Sequence, residues 1–182
     1  MSLQLTIRNR QRARAADLRL LRNVVNGLFR ELPHVGTADL GIFLVAAPEM
    51  TRLNETFLRH AGSTDVLAFD YTTQPTPGPS QEGKSASRAF FSSPPGRGRG
   101  WVLHGEIFLC VDEAILQARR FRTTWQAELV RYLIHGVLHL LGHDDRRAAP
   151  RRRMKHAEDR LLKSVSARFA LSRLARKPKL RQ

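Results

Sequence analysis

His135-Gly-Val-Leu-His139-Leu-Leu-Gly142-His143-Asp144-Asp145 is the stretch around which the rest of the chain is organised. It closes a run from Trp125 to Leu141 that is apolar on nearly every side, through Leu129, Val130, Leu133, Ile134, Val137, Leu138 and Leu140. A helix of that composition packs inside a protein rather than on its surface. Such a helix should avoid imidazoles, because burying a polar ring without a partner costs roughly 1 to 3 kcal/mol. Yet His135 and His139 are four residues apart, an offset that puts both on one helical face. One divalent metal satisfies them together, since each neutral imidazole offers a nitrogen lone pair. Gly142 then ends the helix, where a left-handed residue turns the chain back. The turn brings either His143 or Asp145 beneath the ion as a third ligand. Held by three protein ligands, a zinc ion keeps an open position and activates water near neutral pH.

A chain of 182 residues, 42% of them hydrophobic, suffices for one domain with its own core. Lys and Arg total 31 against 16 Asp and Glu, a net charge of +15 that favours polyanionic partners such as RNA. The surplus is uneven: residues 146–182 hold about fourteen basic side chains and two acidic ones. Cys110 is the only cysteine, so an internal disulfide is excluded and a reducing compartment is expected. Met1-Ser-Leu-Gln-Leu-Thr-Ile-Arg does not read as a secretion signal, and no run of about 18 apolar residues occurs. The expectation is a soluble cytoplasmic protein with no membrane partner.

Working outward, the flanking patterns supply the other elements. Leu3, Leu5 and Ile7 alternate with polar residues, the period of a half-buried strand. Asp17 is a cap or a first-turn acid of a helix in which Leu18, Leu21, Val25, Leu28 and Leu32 recur at helical spacing. Residues 40–45 are apolar on both faces and predict a strand in the sheet interior. Pro48 opens a helix with Met50, Leu53 and Phe57 on its inner stripe. Residues 64–69 predict a strand, as do residues 101–111. Between them, residues 72–100 are rich in Pro, Gly and Ser and predict a flexible insertion. Asp112 is expected to cap a helix through Ile115, Ala118 and Phe121, and Thr123 with Gln126 to form a capping box before the histidine helix. Pro150 opens a last helix with Met154, Ala157, Leu161 and Val165 inward. This order predicts an α+β fold: a single, roughly four-stranded mixed sheet covered by helices. Residues 1–170 form the domain and residues 171–182 a basic tail.

The histidine stretch also carries a resemblance. His-Gly-Val-Leu-His-Leu-Leu-Gly-His-Asp resembles the signature of the bacterial YbeY family of ribosomal RNA maturation factors. Thr64-Asp65-Val66-Leu67-Ala68-Phe69 is similar to that family's Thr-Asp-Val-Leu-Ser-Phe block, and Gly105-Glu106-Ile107 to its Gly-Asp-Ile. Leu53-Asn54, Met154 and Glu158 fall on further matching positions. The family usually has a histidine where this chain has Asp145. The same spacing resembles the metzincin proteases, some of which use aspartate there, which makes the helix zincin-like.

What the resemblance implies is specific. His135, His139 and Asp145 would hold one Zn2+ ion, with His143 the alternative third ligand. Arg59 matches a basic residue implicated in activity; a guanidinium suits a phosphoryl transition state. Arg59, His135 and His139 are then the catalytic candidates. The implied activity is a zinc-dependent, single-strand-specific endoribonuclease acting in ribosomal RNA maturation, at the 3′ end of 16S rRNA, and in ribosome quality control. Its partners would be ribosomal RNA and the ribosomal subunit. Two rival readings stay open. A metalloendopeptidase needs a glutamate after the first histidine, where Gly136 stands. A non-catalytic RNA-binding assembly factor with a structural metal would have a closed set of four ligands, His143 and Asp145 both included. Glu106 either orients a histidine ring or ends in solvent.

Overall fold

The computed structural model describes residues 2–72 and 101–176. Apart from Thr72, the expected insertion lies outside the described residues, as do residues 177–182 of the expected tail. The elements run β1 (Ser2–Asn9), α1 (Leu18–Arg30), β2 (Val35–Val45), α2 (Ala47–Leu53) with a π-helical turn over Asn54–Leu58, β3 (Val66–Asp70), β4 (Trp101–Cys110), α3 (Val111–Phe121), α4 (Trp125–Leu140) and α5 (Ala148–Arg168). A short 3-10 turn follows at Leu171–Leu174.

Four strands form one mixed sheet in the order β1-β2-β4-β3. β1 pairs parallel with β2 and β2 parallel with β4, whereas β3 runs antiparallel to β4. The α+β architecture is therefore the one the element order predicts, and β2 is an interior strand, as its doubly apolar segment requires. Side-chain alternation divides the sheet. On one face Ala38, Leu40, Ile42 and Leu44 of β2 and Leu103, Ile107 and Leu109 of β4 are buried in the main core. That core also takes Leu21, Val25 and Leu28 from α1 and Leu133, Ile134 and Val137 from α4. On the other face Val45, Met50, Leu67, Phe108 and Cys110 make a smaller cluster under α2. Leu171 and Leu174 are buried in the main core, so the first residues of the expected tail pack into the domain. No helix among the described residues is long and apolar enough to cross a membrane.

α4 lies close against the sheet at one glycine. A Cβ added at Gly136 would stand 2.8 Å from Ile107 Cγ2 and 3.2 Å from Val66 Cγ2, inside ordinary contact distance. Hydrogen at this position lets the helix approach β4 and β3, and so fixes where the flanking His135 sits.

Several local expectations need correction. Asp112 does not cap α3, whose N-cap is Cys110 without a side-chain bond. Its carboxylate instead accepts the Ala47 amide at 2.7 Å, tying the start of α2 to α3. α4 is capped by Thr124, whose hydroxyl accepts the Ala127 amide, while Thr123 donates to the Glu128 carboxylate. α5 begins at Ala148, two residues before Pro150. Phe57 is 49% exposed rather than inward, because the π-helical turn inserts an extra residue and rotates it off the stripe set by Met50. The Asp17 cap does form, accepting from the Arg19 and Leu20 amides.

Candidate metal centre

The site is built at the C-terminal end of α4. The helix stops in a paired-bond turn: the Gly142 amide donates to the His139 carbonyl at 2.8 Å and the His143 amide to the Leu138 carbonyl at 3.0 Å. Gly142 has φ +80°, which a residue without Cβ adopts at no steric cost. The turn reverses the chain, and the Arg151 Nε–H donates to the Asp145 carbonyl at 2.6 Å, holding the loop from α5. His135, His139 and Asp145 then converge, each half-buried, with one potential ligand atom apiece all within 4.8 Å of one another. The Asp145 carboxylate oxygen lies 3.7 Å from His135 Nε2 and 3.9 Å from His139 Nε2.

Hydrogen bonding fixes which nitrogen of each ring faces this point. His135 Nδ1 is 3.1 Å from the Glu158 carboxylate, and His139 Nδ1 is 3.1 Å from the His143 carbonyl. Both partners only accept, so both Nδ1 atoms carry the proton and both Nε2 atoms are left with lone pairs. These two Nε2 atoms stand 2.9 Å apart. Two lone pairs cannot face each other at that distance unless a proton or a metal cation lies between them. A pair of neutral imidazoles and a carboxylate is a donor set of the type zinc takes, so the residues present fit the ion. His143 contributes its carbonyl to His139 and is not among the converging ligand atoms.

Electrostatics also favours a cation here. Burial disfavours the charged form of His135, but the Glu158 bond and the nearby Glu158, Asp65 and Asp145 carboxylates outweigh it and raise its pKa. His139 moves the other way, lowered first by burial and then by the charge of His135. The pair thus accommodates one positive charge readily and two poorly.

Glu158 is the functional residue that sequence reasoning did not assign. It is 5% exposed and sits on the inner face of α5 with Met154, Leu161 and Val165. Besides His135 it accepts from Arg131 Nη1 at 2.7 Å and Lys155 Nζ at 3.1 Å. Burial alone would raise its pKa, but the bonds from His135, Arg131 and Lys155 prevail and lower it to about 2. A carboxylate on the apolar stripe of a helix was the available signal, since a buried charge demands partners. Glu106, by contrast, faces away from α4 and accepts from the Tyr71 hydroxyl at 3.1 Å, so it does not orient either histidine.

Arg59 lies outside the converging group. It is exposed and ends the π-helical turn with left-handed backbone, φ 56°, uncommon for a residue with a side chain. Asn54, buried, braces that turn by donating from Nδ2 to the Gly62 carbonyl at 2.9 Å. The Arg59 guanidinium has no ion-pair or hydrogen-bond partner among the described residues.

Comparison with known proteins places this chain in a family. A relative from Chlorobium luteolum named Endoribonuclease YbeY is 30% identical over 163 residues, covering 90% of this chain and 98% of its own. Another of that name, from Salinibacter ruber, is 28% identical over 161 residues, 88% of this chain and 91% of the relative. The solution structure of TM1509 from Thermotoga maritima shares the fold, with TM-score 0.57 at 20% identity over 98% of this chain and 100% of that one. The family model described as Endoribonuclease YbeY matches residues 6–166, and with the relatives above it shows that the chain belongs to the YbeY family.

Proposed function

We propose that this chain is a metal-dependent endoribonuclease that cuts single-stranded RNA during ribosomal RNA maturation, with zinc as its ion. The observation that carries this reading is the convergence of His135 Nε2, His139 Nε2 and the Asp145 carboxylate, with both rings protonated on the far nitrogen. A divalent ion held by those three residues supplies Lewis acidity, polarising a phosphoryl oxygen and lowering the pKa of water. Everything else is done by the chain itself. Glu158 holds the proton on His135 Nδ1 and fixes the ring's direction; the His143 carbonyl does the same for His139. Asp145 brings a negative charge to the site, which histidine in its place would not. The Arg59 guanidinium, free of competing carboxylates, is available to a phosphate oxygen on which charge develops.

The family's printed name supports an RNA substrate, and the net charge of +15 supports a polyanionic one. Ribosomal RNA at the 3′ end of the small-subunit species, and a role in ribosome quality control, are the finer parts of the proposal, together with a cytoplasmic setting. Among the described residues three ligand atoms converge rather than four, which would leave a coordination position for substrate or water and favours catalysis over a closed structural site. Close packing at Gly136 leaves no space for the glutamate a peptidase of this helical type places there. The test is direct. Protein stripped of metal should lose cleavage of a ribosomal RNA fragment and regain it with zinc, and His139→Ala should not be rescued. Cleavage indifferent to both treatments would sink the proposal.

A further inference from the structure

The outer side of α5 carries a row of basic side chains that the metal centre does not use. Arg152, His156, Arg160 and Lys163 follow at steps of four, four and three residues, which places them along one face of the helix. All four are exposed, and Met154, Leu161 and Val165 are buried on the opposite side. The two acids of this helix are already committed. Glu158 takes His135, Arg131 and Lys155, while Asp159 takes Arg131 and Lys155. Arg152, Arg160 and Lys163 have no ion-pair or hydrogen-bond partner among the described residues. At about 1.5 Å of rise per residue the row is roughly 16 Å long, with side chains about 6 Å apart along it. That spacing is comparable to the separation of neighbouring phosphates in an extended strand.

The row's N-terminal end adjoins the metal loop, where Arg151 holds the Asp145 carbonyl. α5 thus adjoins the proposed cleavage centre at its start and again at Glu158, and its outer face is basic apart from Asp159, which Arg131 and Lys155 already hold. Guanidinium groups in such a row serve a chain of phosphates better than a single anion, because each neutralised phosphate releases counterions independently.

We infer that the outer face of α5, through Arg152, His156, Arg160 and Lys163, is a track for the sugar-phosphate backbone of a single RNA strand running past the metal centre. The inference rests on the endoribonuclease reading but names a surface that the reading does not require. It predicts sequence-tolerant, salt-sensitive affinity that is separable from metal binding.

The experiment compares wild type with the triple variants R152Q/R160Q/K163Q and R152E/R160E/K163E, none of which touches the buried side of α5. A fluorescent, unstructured oligouridine strand is titrated in chelator, so that no cutting occurs, at several salt concentrations. Thermal melts and zinc titrations of the same proteins check fold and site. The slope of log affinity against log salt should shrink by about 2 for the glutamine variant, three contacts at about 0.7 each on single strands. Zinc affinity should stay within twofold of wild type. An unchanged slope in a folded glutamine variant, while wild type still cleaves RNA, would overturn the track and leave the nuclease reading intact. If wild type bound no strand, both would fall. Loss of binding to vesicles of phosphatidylglycerol and phosphatidylcholine, with oligouridine affinity unaltered, would overturn the RNA assignment in favour of a membrane surface. The glutamate variant guards against residual polar contacts, and its slope should fall at least as far.

Discussion

Glu158→Gln is the substitution that probes the site most sharply, because it keeps the side chain's shape while replacing one accepting oxygen by a donating NH2. In the native protein the carboxylate accepts the Nδ1 proton of His135 at 3.1 Å and leaves Nε2 with its lone pair toward Asp145 and His139. Glutamine brings one acceptor and one donor group. Arg131 and Lys155, at 2.7 and 3.1 Å, hold cationic donors against the Oε1 position, so the amide oxygen is drawn there and the NH2 is turned toward His135. An NH2 in that place donates to Nδ1 and drives the ring's proton onto Nε2, the position a metal needs. Loss of such a supporting carboxylate typically costs 10- to 100-fold in metal affinity, about 1.4 to 2.7 kcal/mol. Competition with a chromophoric chelator at neutral pH measures the effect. Asp159→Asn is the matched control: it sits one residue away and bonds Arg131 and Lys155, but not His135. Zinc affinity of the Glu158→Gln protein within twofold of wild type would refute the assignment of Glu158 as the residue that sets the His135 tautomer.

Other outcomes follow from the same geometry. Asp145→Ala should weaken zinc binding by tenfold or more, whereas His143→Ala, which keeps the carbonyl that His139 uses, should stay within about threefold, judged by what removing a ligand costs relative to a retained backbone bond; equilibrium dialysis separates the two. Gly136→Ala should lower stability by on the order of 1 kcal/mol in urea denaturation, since overpacking against Ile107 and Val66 outweighs alanine's better helix propensity. An alanine variant as stable as wild type would show that α4 does not press on the sheet there. Alkaline titration tests the two tyrosines. Tyr71 is pushed up to about 12 by burial and then by Glu106, and Tyr132 is raised by burial and nearby carboxylates. Both raised values favour the protonated form in the folded state. Stability from this source is therefore full below pH 10 and lost as pH rises toward about 12, and phenolate absorbance of the native protein should remain flat through pH 10.

The histidine helix, its glycine stop, the interior position of β2 and the order of elements were legible in the sequence because each rests on local periodicity or on one residue's backbone preference. Asp145 as the converging acid came from resemblance, with residue chemistry alone allowing His143 equally. What was illegible depended on tertiary contact. Glu158 stands 23 residues from His135, and only the packing of α5 on α4 joins them. Asp112 had the right type and place for a cap, but a distant amide at Ala47 competed for it. Thr123 and Thr124 are adjacent and chemically alike, so a one-residue choice between them turns on backbone geometry. Phe57 obeyed the stripe until the π-helical turn shifted the count. Glu106 could have been excluded earlier: alternation along β4 puts it opposite Gly105 and Ile107, on the face away from α4.

The contact at Gly136 bears on how this scaffold can change over time. Replacing that hydrogen by a longer side chain demands that Ile107 and Val66 shrink as well, on two different strands. A lineage that began with the glycine change would carry an ill-packed sheet until the others arrived, and one that began with the strands would carry a void. Conversion of this centre to glutamate-assisted peptide cleavage thus meets a packing cost at the first step, whichever step comes first.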